Sequence, residues 1–245
     1  MSDWRSEVEA GLITALPMLI GFIPLGLILG AQASHAGISP LTTVMMTGLN
    51  FAGGSEFAVV ALWDAFPPFL VIAITTALIN SRHIIMGATL APYLKGQSHL
   101  RVAFIYFLMC DETWALNLQE ISRRQAEGKP PFRPLFYFSV ALALYMTWQL
   151  SSFTGALLTH LLGDLSVWGF NLACPATFIA LSIAMFPKQR TLYRVLPVVT
   201  AALVAALVSV TLSEAAAVGL GSLSGLLVAF FTYGKFSAEE KKTAA

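Results

Sequence analysis

Apolar positions along the chain fall into long runs broken by short polar punctuation, a pattern suited to helices in lipid rather than to helices with one wet face. The runs cover residues 12–33, 38–63, 67–94, 99–121, 135–162, 165–186, 193–212 and 215–234. A hydrocarbon core of about 30 Å takes about 20 apolar residues per helix, so the pattern predicts seven or eight crossings. The run 67–94 is long for one crossing and holds Asn80-Ser81-Arg82-His83. It is either one tilted helix with Arg82 and His83 inside the membrane, or two shorter pieces that meet there. Run 12–33 carries Pro17, Gly21, Pro24, Gly26 and Gly30, which predicts a kinked helix with a small-residue face for tight packing.

Run 38–63 contains Asn50-Phe51-Ala52-Gly53-Gly54-Ser55-Glu56-Phe57. Two adjacent glycines cost a helix roughly 1 kcal/mol each, and serine is a residue type that caps a new helix start. Asn50 and Glu56 add an amide and a carboxyl at membrane depth. The stretch predicts a broken spanning helix, which lipid tolerates only where protein or a wet cavity satisfies the freed backbone. Asn50, Gly53, Gly54, Ser55 and Glu56 would then form half of a solute-binding site. A restart near Ser55 would offer a substrate carboxylate the positive end of a helix. The alternative is that the glycines only let helices pack closely.

Asn50 to Phe57 can be laid over Asn171-Leu172-Ala173-Cys174-Pro175-Ala176-Thr177-Phe178, with Asn, Ala and Phe in register. This predicts a duplication with halves 10–121 and 134–234, joined by a basic loop at 122–133 that holds Arg123, Arg124, Lys129 and Arg133. A second break at Cys174-Pro175 would add Asn171 and Pro175 to the site. Two broken helices that meet near the midplane are a plan of secondary transporters.

Composition narrows the class. Of 245 residues, 57% are hydrophobic and 11% charged, where soluble domains carry about 25% charged residues. The chain reads as an all-α polytopic membrane protein, a single transmembrane domain over 1–245. Its N-terminus is more acidic than basic, so the first apolar segment is expected to stay in the mature protein rather than act as a signal peptide. Basic residues in the 122–133 loop, in 188–190 and from Lys235 onward place those loops and the C-terminus on the cytoplasmic side. A net charge of +1 gives no field for nucleic acid. Cys110 and Cys174 lie in apolar runs and suggest neither a disulfide framework nor a metal site. No His-Glu-x-x-His, Gly-x-Ser-x-Gly or P-loop motif is present, so neither an enzyme, an ATP-driven pump nor a cofactor is expected.

Five ionisable groups lie well inside the apolar runs: Glu56, Arg82, His83, Asp111 and Glu112. Each is costly in lipid unless paired or wet. Three acids against one permanent cation leave negative charge to be balanced by a proton, a bound cation or a substrate ammonium. Arg82 is expected to neutralise Asp111 or Glu112, since a lone buried charge costs several kcal/mol. Structural readings stand beside these: an interfacial position for Asp111 and Glu112, or a snorkelling Arg82.

Taken in order, several stretches resemble the AzlC family, the large subunit of two-component exporters of branched-chain amino acids. They are Leu16-Pro17 to Gly26, Ala52 to Ala58, Asn80-Ser81-Arg82-His83 with Gly87 and Ala91-Pro92, the pair Asp111-Glu112, and Trp148 to Gly155. The resemblance implies a secondary transporter in the cytoplasmic membrane. It would export leucine, isoleucine, valine and, as a further substrate, methionine with the proton gradient, together with a small AzlD-type membrane subunit. It also implies a glutamine where this chain has Glu56, which adds a titratable group at the predicted break. A channel or facilitator and a non-transporting structural subunit remain as other function classes. Neither needs an acid that titrates.

Overall fold

The structure, a computed structural model, describes residues 4–162, 192–211, 217, 220–221 and 223–232. Among these residues every regular element is helical. The elements are α1 (Trp4–His35), α2 (Pro40–Asn50), α3 (Gly54–Ala61), α4 (Phe69–Asn80), α5 (Arg82–Leu90), a 3-10 turn at Ala91–Leu94, α6 (His99–Phe107), α7 (Asp111–Ala126), α8 (Pro134–Leu162) and α9 (Leu192–Thr211). Two of the described helical stretches, Trp4–His35 and Phe69–Leu94, have the length and apolarity to cross a membrane. Described residues within 4–67 and 79–162 form one compact unit; those within 68–78 and from 192 onward belong to a second.

The spine of the first unit is α1 lying along α8. Small residues make this possible. A Cβ on Gly30 would run into the backbone carbonyl of Ser152, one on Gly155 into the carbonyl of Leu27, and one on Gly26 into the Ser151 hydroxyl. The two backbones touch where most helix pairs keep side chains between them, the close approach that small residues permit in lipid-embedded helices. α8 answers with a buried stripe at helical spacing: Phe136, Tyr137, Val140, Ala141, Leu144, Trp148, Ser152, Ala156 and Thr159. Gly21, on the outer side of α1, faces open space. α1 continues in helical geometry through Pro17 and Pro24 and extends beyond the predicted 12–33 at both ends.

Tyr137 and Ala141 of α8 also join Met86, Leu90, Leu94, Ile105, Leu108, Met109 and Ile121 in a buried apolar cluster that ties α5, α6 and α7 to α8. The Tyr137 hydroxyl is satisfied within this cluster by donating to the Ile105 carbonyl at 2.7 Å. At the end of the unit where α1 begins, Arg133 lies 3.1 Å from Glu120 and 3.5 Å from Glu7, all three largely buried. Arg123 also bonds Glu120, at 2.9 Å, so both carboxyl oxygens of Glu120 are engaged.

Two sequence expectations change, and one left open is resolved. Run 99–121 is not one helix with acids at its middle: α6 stops after Phe107, and α7 starts at Asp111, so both acids sit in a first turn. There they meet the positive end of the helix dipole, which favours carboxylates. The basic loop begins later than predicted, because α7 carries helix through Arg123 and Arg124 to Ala126. The run 67–94 resolves into two abutting pieces that meet at Ser81. The second predicted break, with Asn171 and Pro175, lies outside the described residues.

In the second unit, α9 packs on the segment that leads into helix Leu223–Thr232. Gly221 meets Ala205, and Gly225 meets Ala201 and the Pro197 carbonyl.

The α1–α8 contact predicts that Gly30→Leu and Gly155→Leu destabilise the protein by about 1–3 kcal/mol, or prevent folding where backbone cannot yield. Gly21→Leu should leave stability unchanged. Thermal unfolding in detergent of the three variants checks this, and a Gly21 variant that melts with the other two would count against it.

Candidate functional site

The break between α2 and α3 is built by the residues the sequence singles out. α2 starts with Ser39 as its cap, its hydroxyl accepting from the Thr42 N–H at 3.1 Å, and with Pro40 in the first turn. It ends at Phe51 in the left-handed region, φ 43° and ψ 50°. Phe51 is the one non-glycine with positive φ among the described residues. Its strain is held by burial of the ring and by an edge contact with Tyr145, centroids 5.1 Å apart. Gly53 follows at φ 57° and ψ −74°, a conformation open to glycine and strained for other residues. α3 then starts at Gly54, capped by Gly53 rather than by Ser55. The serine lies inside the first turn, and its hydroxyl accepts instead from Asn50 Nδ2 at 2.7 Å.

Side chains close the gap from within. Glu56, 0% exposed, turns back so that Oε1 accepts from the Ala52 N–H at 3.0 Å while Oε2 accepts from Trp148 Nε1 at 2.7 Å. A buried carboxyl without partners would cost several kcal/mol; here both oxygens are engaged. Glu56 thereby fastens the break to the middle of α8, where Trp148 also packs edge-on against Phe22 of α1, centroids 5.4 Å apart. Nearby, Thr47 donates to Gln149 Oε1 at 2.9 Å and the Tyr145 hydroxyl donates to the Gly48 carbonyl at 3.1 Å. α2 is thus tied to α8 by polar contacts on the turn before the break.

The junction of α4 and α5 meets the same break from another direction. Asn80 Nδ2 donates to Asn50 Oδ1 at 2.8 Å. Arg82 Nη2 donates to the Ala52 carbonyl at 3.0 Å and lies 3.0 Å from Asp111 Oδ2. Of the two adjacent acids it is therefore Asp111 that pairs with Arg82. Glu112 lies beside the Cys110 thiol instead. His83 Nδ1 is 3.2 Å from the Asn80 carbonyl, and since a carbonyl only accepts, the bond requires the proton on Nδ1.

Asn50, Gly53, Gly54, Ser55, Glu56, Arg82 and Asp111 are accordingly joined in one network at two helix breaks. His83 and Glu112 lie at its margin. Sequence reasoning did not pick out Asn80 as a contact of Asn50, or Trp148 and Gln149 as polar partners of α2 and α3. Their signal is the crowding of polar and amphipathic types at Tyr145, Trp148, Gln149, Ser151 and Ser152 in an otherwise apolar helix. No group of three or more metal-ligating side chains occurs among the described residues.

The Glu56 geometry predicts a cost for Glu56→Gln. A carboxylate accepts from two donors, whereas an amide must turn its NH2 toward either the Ala52 N–H or the Trp148 N–H. The variant should lose about 1–3 kcal/mol of stability, the cost of a buried unsatisfied polar group. Trp148→Phe in the same background removes one opposing donor and should restore part of that loss. Thermal unfolding of the four proteins of this cycle measures the coupling; strict additivity would show that the two side chains do not interact.

Comparison with known proteins fits this picture. The family model described as AzlC protein matches residues 17–162. The chain is 28% identical over 231 residues to the inner membrane protein YgaZ of Escherichia coli, covering 89% of each chain. It is 25% identical over 197 residues to the branched-chain amino acid transport protein AzlC of Bacillus subtilis, covering 78% of this chain and 74% of that one. An uncharacterized membrane protein of Archaeoglobus fulgidus is 27% identical over 139 residues, 56% of each chain. No solved structure matches significantly. With a model match over more than half of its length, and with relatives named as membrane and transport proteins, this chain is a membrane protein with a transport role that belongs to the AzlC protein family.

Proposed function

We propose that the chain is a secondary transporter that exports small aliphatic amino acids of the branched-chain type across the cytoplasmic membrane, coupled to the proton gradient. The observation that carries this reading is the polar network at the break between α2 and α3. Arg82 links the Ala52 carbonyl of that break, which also accepts from the Gly54 N–H, to Asp111 at the start of α7, in a chain that is 57% hydrophobic. Intramembrane ionisable groups held around interrupted helices mark solute pathways. The apolar side of the amino-acid class comes from the name of the Bacillus subtilis relative.

In this reading the chain crosses the membrane seven or eight times in two repeats, with the C-terminus cytoplasmic, and works with a small AzlD-type membrane subunit. Asn171 and Pro175 of the second repeat would complete the site opposite Asn50, Gly53, Gly54 and Ser55. Glu56, Asp111 and Glu112 are the acids available to carry the coupled proton. A facilitator would need none of them to titrate.

Counterflow of labelled L-leucine in proteoliposomes, with and without the co-reconstituted small subunit, tests the proposal. Uptake against unlabelled internal leucine is expected, and an imposed pH gradient should drive accumulation. Gly54→Val, which crowds the restart of α3, should abolish exchange while the protein still folds. Equilibration without response to the pH gradient would favour a facilitator, and absence of any exchange in either preparation would overturn transport of this substrate class.

A further inference from the structure

We infer that Asn80, Arg82 and Asp111 form the seat for the charged end of the transported amino acid, with its α-ammonium on the Asp111 and Asn80 oxygens and its carboxylate on Arg82. This rests on the transport reading above and specifies where in the network the substrate binds.

Three buried side-chain atoms around this junction have no hydrogen-bond partner: Asn80 Oδ1, Arg82 Nε and Asp111 Oδ1. Native proteins leave few such atoms, and each needs an explanation. Two are acceptors and one is a cationic donor, the complement of an ammonium beside a carboxylate. The set is left over from contacts that use only half of each group. Asn80 spends its NH2 on Asn50, and Arg82 and Asp111 meet through Nη2 and Oδ2 alone. An arginine–carboxylate pair built for stability engages both oxygens with two parallel N–H groups. Here the second arm of each partner is free.

Position favours exchange as well. Arg82 and Asp111 keep 24% and 15% of their side-chain surfaces exposed, whereas Glu56 is fully enclosed. The pair therefore lies at the edge of the network, where a ligand can reach it. A zwitterion inserted between Arg82 and Asp111 replaces one ion pair by two and leaves the net charge of the seat unchanged. An amine or a carboxylic acid with the same aliphatic tail satisfies one side only and leaves the other charge unmatched. The seat thus selects amino acids over aliphatic acids and amines, and leaves the tail to be chosen elsewhere.

The test is thermal stabilisation of the purified full-length protein in detergent by L-leucine, 4-methylpentanoate, 3-methylbutylamine and L-leucine methyl ester. Counterflow of labelled L-leucine is measured on the same preparation. L-Leucine should raise the melting temperature, and each analogue that lacks one charge should need a concentration about tenfold higher or more, the effect of losing a charge-assisted hydrogen bond. Asp111→Asn and Asn80→Ala should weaken the response to L-leucine; the response to 4-methylpentanoate, which has no ammonium, should stay as it was in Asn80→Ala and strengthen in Asp111→Asn, where Arg82 has no competing carboxylate. If counterflow is present and the single-charge analogues match L-leucine, the seat is refuted while transport stands. If counterflow and stabilisation are both absent, the transport reading and the seat fall together. The wild-type analogue series decides the matter even where a variant fails to fold.

Discussion

A helix interrupted among apolar neighbours frees backbone groups that lipid cannot satisfy, and the arrangement of the first unit follows from how this chain supplies partners. The Ala52 N–H is taken by Glu56, and the Ala52 carbonyl is shared between the Gly54 N–H and Arg82. Each partner brings a charge that must be matched in turn. Glu56 accepts from Trp148 of α8, and Arg82 pairs with Asp111 at the start of α7. One broken peptide segment therefore fixes the mutual placement of α2, α3, α5, α7 and α8. An orphaned buried group would cost about 1–3 kcal/mol, a large share of any protein's net stability, so these contacts are held together as a set.

Such a network needs a rigid support, and the glycine contact between α1 and α8 provides it. Backbone against backbone at Gly30 and Gly155 leaves no side chain to rearrange. Trp148 emerges from this seam between Phe22 and Glu56. The division of labour is physical: enclosed contacts hold the break open, and the half-used groups of Asn80, Arg82 and Asp111 stay at its exposed edge.

Much of this was legible in the residues, and the failures have identifiable causes. The Gly53-Gly54 break could be read because two glycines between apolar runs oppose helix locally. Ser55 was assigned the cap by residue type, yet the positive φ of Gly53 sets the helix start and leaves the serine hydroxyl for Asn50. The break between α6 and α7 carries no such signal, because Leu108-Met109-Cys110 is apolar and contains neither glycine nor proline. Only Asp111 and Glu112, favoured in a first helical turn, hinted at a start there. The pairing of Glu56 with Trp148 is separated by 92 positions in sequence, and no local pattern encodes such a contact.

The central claim is that Arg82 joins two helix breaks by serving the Ala52 carbonyl and Asp111 together. Stability measurements on Arg82→Gln, Asp111→Asn and the double variant test it most directly. Breaking a buried ion pair by removing one partner costs about 3–5 kcal/mol, so each single variant should be strongly destabilised. The double variant should be more stable than the sum of the two losses allows, by about 0.5–3 kcal/mol. It should still fall short of wild type, because the Ala52 carbonyl loses its guanidinium donor in either arginine variant. Strictly additive losses, or a double variant as stable as wild type, would contradict the account.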